Sequence, residues 1–458
     1  MLHGTLADDL REDELTPGFV SPAWADYCFA NVPDTVSSLF GMDAARPLPE
    51  TVFEGVSTDV DHVVLAFVDG FGWNHFQRVR DDHSFLTRLA ERATVTPLTA
   101  GYPSETAAAV STIHTGRQPA EHGVLGWNAY VEDLGGCVQT LPFADRDRTP
   151  LGEVRDDPDP AALIDERTLY ERLDADSVLV QPEEIDGNPY DGQVNRGAEL
   201  VGYDDVTQAA HRVRDRLDGA SEPTYCYCYL PNVDAAAHEF GVAHEETDAQ
   251  LGAVCRAIER EIMDGIDPDL AERTLLIVTA DHGEVDATPE TTVDLDGLDL
   301  EPHLRRDGAG EPIPALGGPR NLQFHARDGH RDALRAELEH GLAPLEPLVL
   351  DRERIIAAGL FGDREPSGAQ SVRESQSDSR RPSAARSPSE DTSDGRTGEA
   401  CESTERFRER CPDLLAVPRE GFAWYDDGHL AKVGMHGGLH PDEMLVPFAA
   451  ARIDTLQR

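Results

Sequence analysis

The chain has 458 residues, with 40 basic against 87 acidic side chains, a formal net charge of −47 and 39% hydrophobic residues, enough for one large or two ordinary domains. No apolar run approaches the roughly 18 residues needed to span a bilayer, and the acid excess excludes a nucleic-acid-binding face. Residues 1–20 carry more acids than bases and no apolar core of a secretory signal, so the expected location is the cytoplasm.

In chain order, residues 1–60 read as an N-terminal extension packing on the core. VVLAFV at 63–68 predicts a buried strand, followed by Asp69 and by Gly70, which lets the backbone turn; a helix is expected over 81–93. Asp69 reads either as a turn residue or as a ligand at a strand end. GYPSETAAAVSTIHTG follows, with Pro103 ending an extended stretch and a helix starting near Thr106. A hydroxyl there either caps the helix or stands beside free N–H groups that could hold an anion. In GVLGWNAY, Trp127, Asn128 and Tyr130 could line a leaving-group side, with Trp127 expected to be core packing, and His122 reads as structural.

The stretch 137–200, rich in Asp, Pro and Gly, is expected to be a cap or elaborated loop, with a helix after it at 204–218. YCYCYL at 225–230 predicts a strand leading into Asp234 and His238, whose spacing of four puts both on one helical face, where they could share a metal. A helix over 245–264 precedes the strand TLLIVTA at 274–280, and Asp281, His282 and Gly283 follow it. Residues 285–330 read as a second cap-like insertion. Further strands are expected at 321–326, 346–350, 413–417, 421–425 and 445–451, with a helix at 328–340. Between Glu365 and Arg406 the only large apolar residue is Val372, so 365–410 reads as a disordered low-complexity insertion. His436, before a double glycine, is the last candidate ligand, with His440 as its competitor. The expected fold is α/β, a three-layer α/β/α sandwich with a mostly parallel central sheet. Its catalytic core would run over 61–364 and resume at 411–458.

The ordered set Asp-Gly, Pro-Ser-x-Thr with Thr-Gly after it, Asp-x-x-x-His-x-x-Gly, Thr-Ala-Asp-His-Gly and His-Gly-Gly resembles the alkaline phosphatase superfamily. Within it, the chain is most similar to the type I phosphodiesterase and nucleotide pyrophosphatase family. The resemblance implies an alkaline-phosphatase-like fold and a hydrolase for phosphodiester or pyrophosphate bonds in a small phosphorylated substrate. It also implies two divalent metals about 4 Å apart, zinc first and manganese as the alternative. One metal would be held by Asp69, Asp281, His282 and Thr106, the other by Asp234, His238 and His436, with Thr106 as nucleophile. The chain departs from the family at Ala107, Ala108 and Ala109; nucleotide pyrophosphatases carry an Asn at the last position, so one transition-state donor must come from elsewhere or be missing.

A sulfatase would need Cys or Ser followed by x-Pro-x-Arg, which Pro103-Ser104-Glu105-Thr106 does not supply. Cofactor-independent phosphoglycerate mutase shares the metal logic but has a separate substrate domain that cannot be placed here. Phosphomonoesterase and phosphonate hydrolase activity stay open at the same site, and a non-catalytic metal-binding protein is the alternative of another class. Lys432 is the single lysine, and this bias with the acid excess resembles proteins of salt-accumulating halophiles. Seven scattered cysteines without a CxxC pair read as reduced thiols.

Overall fold

A computed structural model describes residues 1–185, 187–362, 404–425 and 427–458. Among them the central sheet has seven strands: β1 (His62–Val68), β2 (Thr94–Thr99), β3 (Asp176–Pro182), β4 (Glu199–Tyr203), β5 (Thr224–Leu230), β6 (Thr274–Thr279) and β7 (Leu445–Arg452). Their order is β2-β7-β6-β1-β5-β3-β4. β1 and β6 are buried at every residue, as continuous apolar runs must be when both faces of a parallel sheet are covered. The expected α/β class with a mostly parallel central sheet is the observed one.

Only β7 runs against the rest, antiparallel to both β6 and β2. This one reversal fixes the site. Parallel strands deliver their carboxyl ends to one edge, and β7 starts at that edge, so the residues just before it arrive there too. Four helices matter here: α1 (Thr106–Thr115), α2 (Val206–Asp218), α3 (Asn232–Phe240) and α4 (Glu245–Ala257). α2 begins at Asp205, whose carboxylate accepts from the amides of Thr207 and Gln208, and it buries Ala209, Ala210, Val213 and Leu217 at helical spacing. The N-terminal helix Gly4–Glu12 packs Ala7 and Leu10 into the main core.

Several expectations change. The stretch 137–200 is not all cap, because β3 and the start of β4 lie in it and join the central sheet. The strands expected at 321–326, 346–350 and 413–417 leave the central sheet and form a second, antiparallel one. That sheet has six strands, ordered Leu348–Asp351, Leu414–Val417, Asn321–Phe324, Leu316–Gly318, Asn128–Val131 and Gly136–Gln139. The insertion expected near 285–330 thus contributes two of its strands. Alternation divides the sheet's faces. Leu414 and Ala416 pack with the helix Arg331–Gly341, while Leu415 and Val417 pack with Tyr102, Leu439 and Met444 at the edge of the central sheet. Of the insertion expected at 365–410, residues 365–403 lie outside the described residues, and Glu405–Arg410 is a helix burying Phe407 and Arg410.

Candidate active site

Asp69 stands one residue past β1, its amide bonded to the Leu230 carbonyl at the end of β5 (3.1 Å). Gly70 turns the chain beneath it at φ 72°; a Cβ there would lie 2.9 Å from the Asp234 Cα, so only glycine lets the segments bearing Asp69 and Asp234 approach. Asp281 and His282 follow β6, and Gly283 allows their turn because any side chain would strike the Asp442 carbonyl oxygen at 2.2 Å. Asp234 and His238 lie on α3, one turn apart. Thr106 opens α1, and His436 arrives on the segment before β7.

The structure brings these seven residues into one connected group. His282 Nε2 lies 3.3 Å from both Asp69 Oδ1 and Asp281 Oδ2, and 3.2 Å from Thr106 Oγ1. Asp234 Oδ1 lies 3.4 Å from His436 Nε2 and 3.6 Å from His238 Nε2. The His282 and His436 rings stack at 3.6 Å and join the two halves. Each imidazole also has its Nδ1 against a backbone carbonyl: His238 on Gly434 (2.8 Å), His282 on Gly283 (3.1 Å) and His436 on Ser104 (3.0 Å). An Nδ1–H donated to a carbonyl fixes the tautomer, so all three Nε2 lone pairs face the carboxylates.

The carboxylates are poorly satisfied. Asp69 Oδ1, Asp234 Oδ1 and Asp281 Oδ2 are buried with no hydrogen-bond partner, although Tyr229 donates to Asp69 Oδ2 at 2.6 Å. Burial first, then Asp281 and Asp234, pushes the Asp69 carboxyl well up, and burial with Asp234 raises Asp281 against the pull of His282. Burial and the neighbouring His282 and His238 hold the His436 imidazole well down, hence neutral. Packed carboxylates with bare oxygens beside neutral imidazoles are an unbalanced arrangement that a divalent cation balances. Donor atoms fall within 4.8 Å of one another in the sets Asp69/Asp281/His282 and Asp234/His282/His436.

A third such set contains a residue that the sequence reading passed over: Glu284, with Asp234 and His238. Nothing in Asp-His-Gly-Glu marks that carboxylate as different from any surface acid. His440 does not join the group; its Nδ1 accepts the Asp442 amide (3.1 Å) and caps the short helix Pro441–Met444. His122 is buried between Thr112 Oγ1 (3.1 Å) and the Val124 amide (3.0 Å), the structural role expected of it.

Above the group opens a cleft of about 620 Å³, lined by Thr106, Asp234, His238 and His436 on its floor and by Trp127 and Trp424 on its walls. Trp127 therefore both packs on the core and faces the cleft, whereas Tyr130 lies outside the lining, under the Arg305 guanidinium. Glu105, beside Thr106, turns away from α1 and accepts from the Trp127 amide (3.1 Å) and Asn321 Nδ2 (3.2 Å), tying the start of α1 to the second sheet. Its carbonyl takes the amides of Ala108 and Ala109, which leaves those of Thr106 and Ala107 without a backbone acceptor. The segment bearing His436 is clamped by a fully buried ion pair. Arg320 Nη2 lies 2.7 Å from Glu443 Oε1, and Glu443 also accepts the amides of Gly438 (2.9 Å) and His440 (2.8 Å).

The fold is shared with solved proteins of low sequence similarity. Human ectonucleotide pyrophosphatase/phosphodiesterase 5 is 14% identical with a TM-score of 0.56, and covers 85% of this chain and 87% of its own. The murine protein, an inactive variant in complex with AMP, gives 15%, 0.54 and the same coverage. Phosphonoacetate hydrolase from Sinorhizobium meliloti, in complex with phosphonoformate, gives 15% and 0.52 over 87% of this chain and 94% of its own. No curated protein matches the sequence. Residues 63–439, which carry every member of the group, match the family of type I phosphodiesterases and nucleotide pyrophosphatases, and the chain belongs to that family of phosphoric ester hydrolases, within the alkaline phosphatase superfamily.

Proposed function

We propose that the chain hydrolyses phosphodiester or pyrophosphate bonds of a small phosphorylated substrate, with Thr106 as nucleophile and two divalent metals. The observation that carries this reading is the hydroxyl of Thr106, 3.2 Å from His282 Nε2, among carboxylates with unpartnered oxygens on the floor of an open cleft. A protein that merely bound metal would have no use for a hydroxyl at that point.

The donor set suits the metals. Asp69, Asp281, His282 and Thr106 would hold one, and Asp234, His238 and His436 the other. Three carboxylates with three imidazoles favour zinc, with manganese as the alternative, over the all-oxygen preference of magnesium. When bound, the metals supply positive charge to the phosphoryl oxygens and ease deprotonation of a hydroxyl or water. The chain's own residues do the rest. Thr106 Oγ1 gives up its proton to solvent and forms a bond to phosphorus as the bond to the leaving oxygen breaks, and that oxygen takes up a proton from solvent. Water then cleaves the phosphothreonine, releasing phosphate or a phosphomonoester and restoring the hydroxyl. The free amides of Thr106 and Ala107 at the start of α1 are placed to hold a phosphoryl oxygen, and they stand in for the donor that Ala109 does not provide. The cleft volume, about 620 Å³, suits a substrate larger than a simple phosphonate. AMP, the ligand of the murine relative, is larger than a simple phosphonate.

The test compares bis-p-nitrophenyl phosphate with p-nitrophenyl phosphate in the zinc- and manganese-loaded enzyme. Diester cleavage should be the faster, and Thr106→Ala should lower kcat by about 10³-fold or more. Faster monoester cleavage would move the function to a phosphatase, and unchanged turnover in Thr106→Ala would remove the nucleophile from this reading.

A further inference from the structure

α1 carries Thr106, Val110 and His114 at a spacing of four, and all three line the cleft. That spacing puts them on one helical face, so an inner arm of the cleft runs two turns, about 12 Å, along α1 from Thr106 to His114. Gln181 and Pro182 at the end of β3, and Ile185 just after it, line the same cleft. Tyr190 fixes the segment after β3 to the helix, its hydroxyl 2.6 Å from Ser111 Oγ. The arm ends at His114 and at Tyr227 of β5, whose rings meet edge to face at 5.1 Å. These two side chains are only 3% and 1% exposed, yet each keeps a bare hydrogen-bonding atom. The Tyr170 hydroxyl lies 2.5 Å from His114 Nδ1 and fixes the ring, while among the described residues His114 Nε2 and the Tyr227 hydroxyl have no hydrogen-bond partner. Neither atom is sealed in protein as the Tyr225 hydroxyl is; their open side is the cleft. Polar atoms so deeply placed ask for a bonding group from outside.

We propose that His114 and Tyr227 form the specificity end of the cleft, taking an uncharged hydrogen-bonding group that the alcohol part of the ester carries two helical turns from phosphorus, and rejecting an apolar chain. The proposal rests on the hydrolase reading above and narrows its substrate class. The end is uncharged itself: burial holds the His114 imidazole down at about 3 and pushes the Tyr227 phenol well up, so both are neutral at ordinary pH. Glu184 and Asp191 add negative charge to the wall after β3, which disfavours a second anion there. Val110 offers apolar contact midway along the arm. An apolar tail reaching the end would leave both polar atoms dry and unpaired. A site built to hydrogen-bond a substrate group rejects the analogue lacking it far more strongly than an apolar pocket rejects an added hydroxyl. His114 and Tyr227 stand away from the reacting atoms, so they act on which substrate is bound.

Octyl phosphate and its ω-hydroxy derivative differ only in a terminal hydroxyl, and their extended chains span the two helical turns. Titrated calorimetrically into the zinc-loaded protein, the hydroxy derivative should bind more tightly by about 10-fold or more. His114→Leu should reverse that preference, and Tyr227→Phe, which removes one oxygen and keeps the ring, should reduce it. Equal or tighter binding of octyl phosphate by the wild type overturns the proposal, as does an undiminished preference in His114→Leu. Should His114→Leu not fold, Tyr227→Phe decides, and an undiminished preference there overturns it. Inorganic phosphate titrated in parallel reads the other end of the cleft. Phosphate binding without a preference for the hydroxy derivative removes the specificity end alone, whereas failure to bind phosphate removes the hydrolase reading and the proposal with it.

Discussion

Glu105 neighbours the proposed nucleophile, yet burial pushes its carboxyl up to about 7 against the pull of Asn321 and the Trp127 amide. A carboxyl raised in the folded state stabilises fully below its unfolded value of about 4.5, and that contribution is lost as pH rises through about 7. The difference corresponds to about 3 kcal/mol. Glu105→Gln should therefore flatten the fall in denaturation free energy between pH 5 and pH 8, and an unchanged slope would mean that Glu105 is ionised throughout. Among the proposed metal ligands, Asp69 and Asp281 are raised while His436 is held neutral, so on that reading the protons displaced by metal come from carboxyls. Calorimetry in buffers of different ionisation enthalpy should show net proton release on zinc binding that grows as pH falls, with affinity weakening in step. Burial works against the Glu443 charge, but Arg320 and two backbone amides outweigh it and hold the carboxyl below its usual range. Arg320→Met would strand that charge and should cost about 3–5 kcal/mol in urea denaturation, with Glu443→Leu added to it recovering part of the loss.

At the scale of elements, the strand-end motifs were legible because buried parallel strands read as unbroken apolar runs, and ligands just past such runs need no tertiary knowledge to be noticed. Their convergence was not legible. It depends on β7 running backwards, and LVPFAAAR carries no sign of its direction. The second sheet was unreadable as a unit for a related reason. Its strands are three or four residues long and come from segments nearly 300 residues apart, so no local period announces them. β3 was hidden because DSVLVQP is a short apolar run inside an acidic, proline-rich stretch that otherwise reads as loop. Glu284 was hidden because its meaning lies in Asp234 and His238, which are distant in sequence. The turn after β6 offers a sharp test. Gly283→Ala forces a Cβ against the Asp442 carbonyl and displaces either His282 or the segment bearing His436, so zinc content should fall along with Tm. Retention of both would mean that the turn is looser than its contacts require.

For the whole molecule, the −47 charge is the dominant long-range term. At about 0.1 M salt the Debye length is near 10 Å, whereas in molar salt it is about 3 Å, so mutual repulsion of surface carboxylates is damped only at high ionic strength. Tm should rise steeply between 0.1 and 2 M potassium chloride, and a flat profile would show that the arginines already offset the repulsion locally. Chelation should act in the same direction as salt removal. The proposed ligands come from five separated segments and would bind metal only when folded, so EDTA should lower Tm by mass action, with the metal content falling in parallel. Among the described residues no helix is long and apolar enough to cross a membrane.

The antiparallel strand β7 also sets an order of events during synthesis. It occupies an interior place between β2 and β6, and both neighbours are made at least 160 residues earlier. Until residue 452 has cleared the ribosome, the nascent sheet has a gap, two open edges and no His436. The protein must therefore travel most of its translation as an incomplete layer, and the proposed metal centre can close only once that late strand zips into the waiting slot.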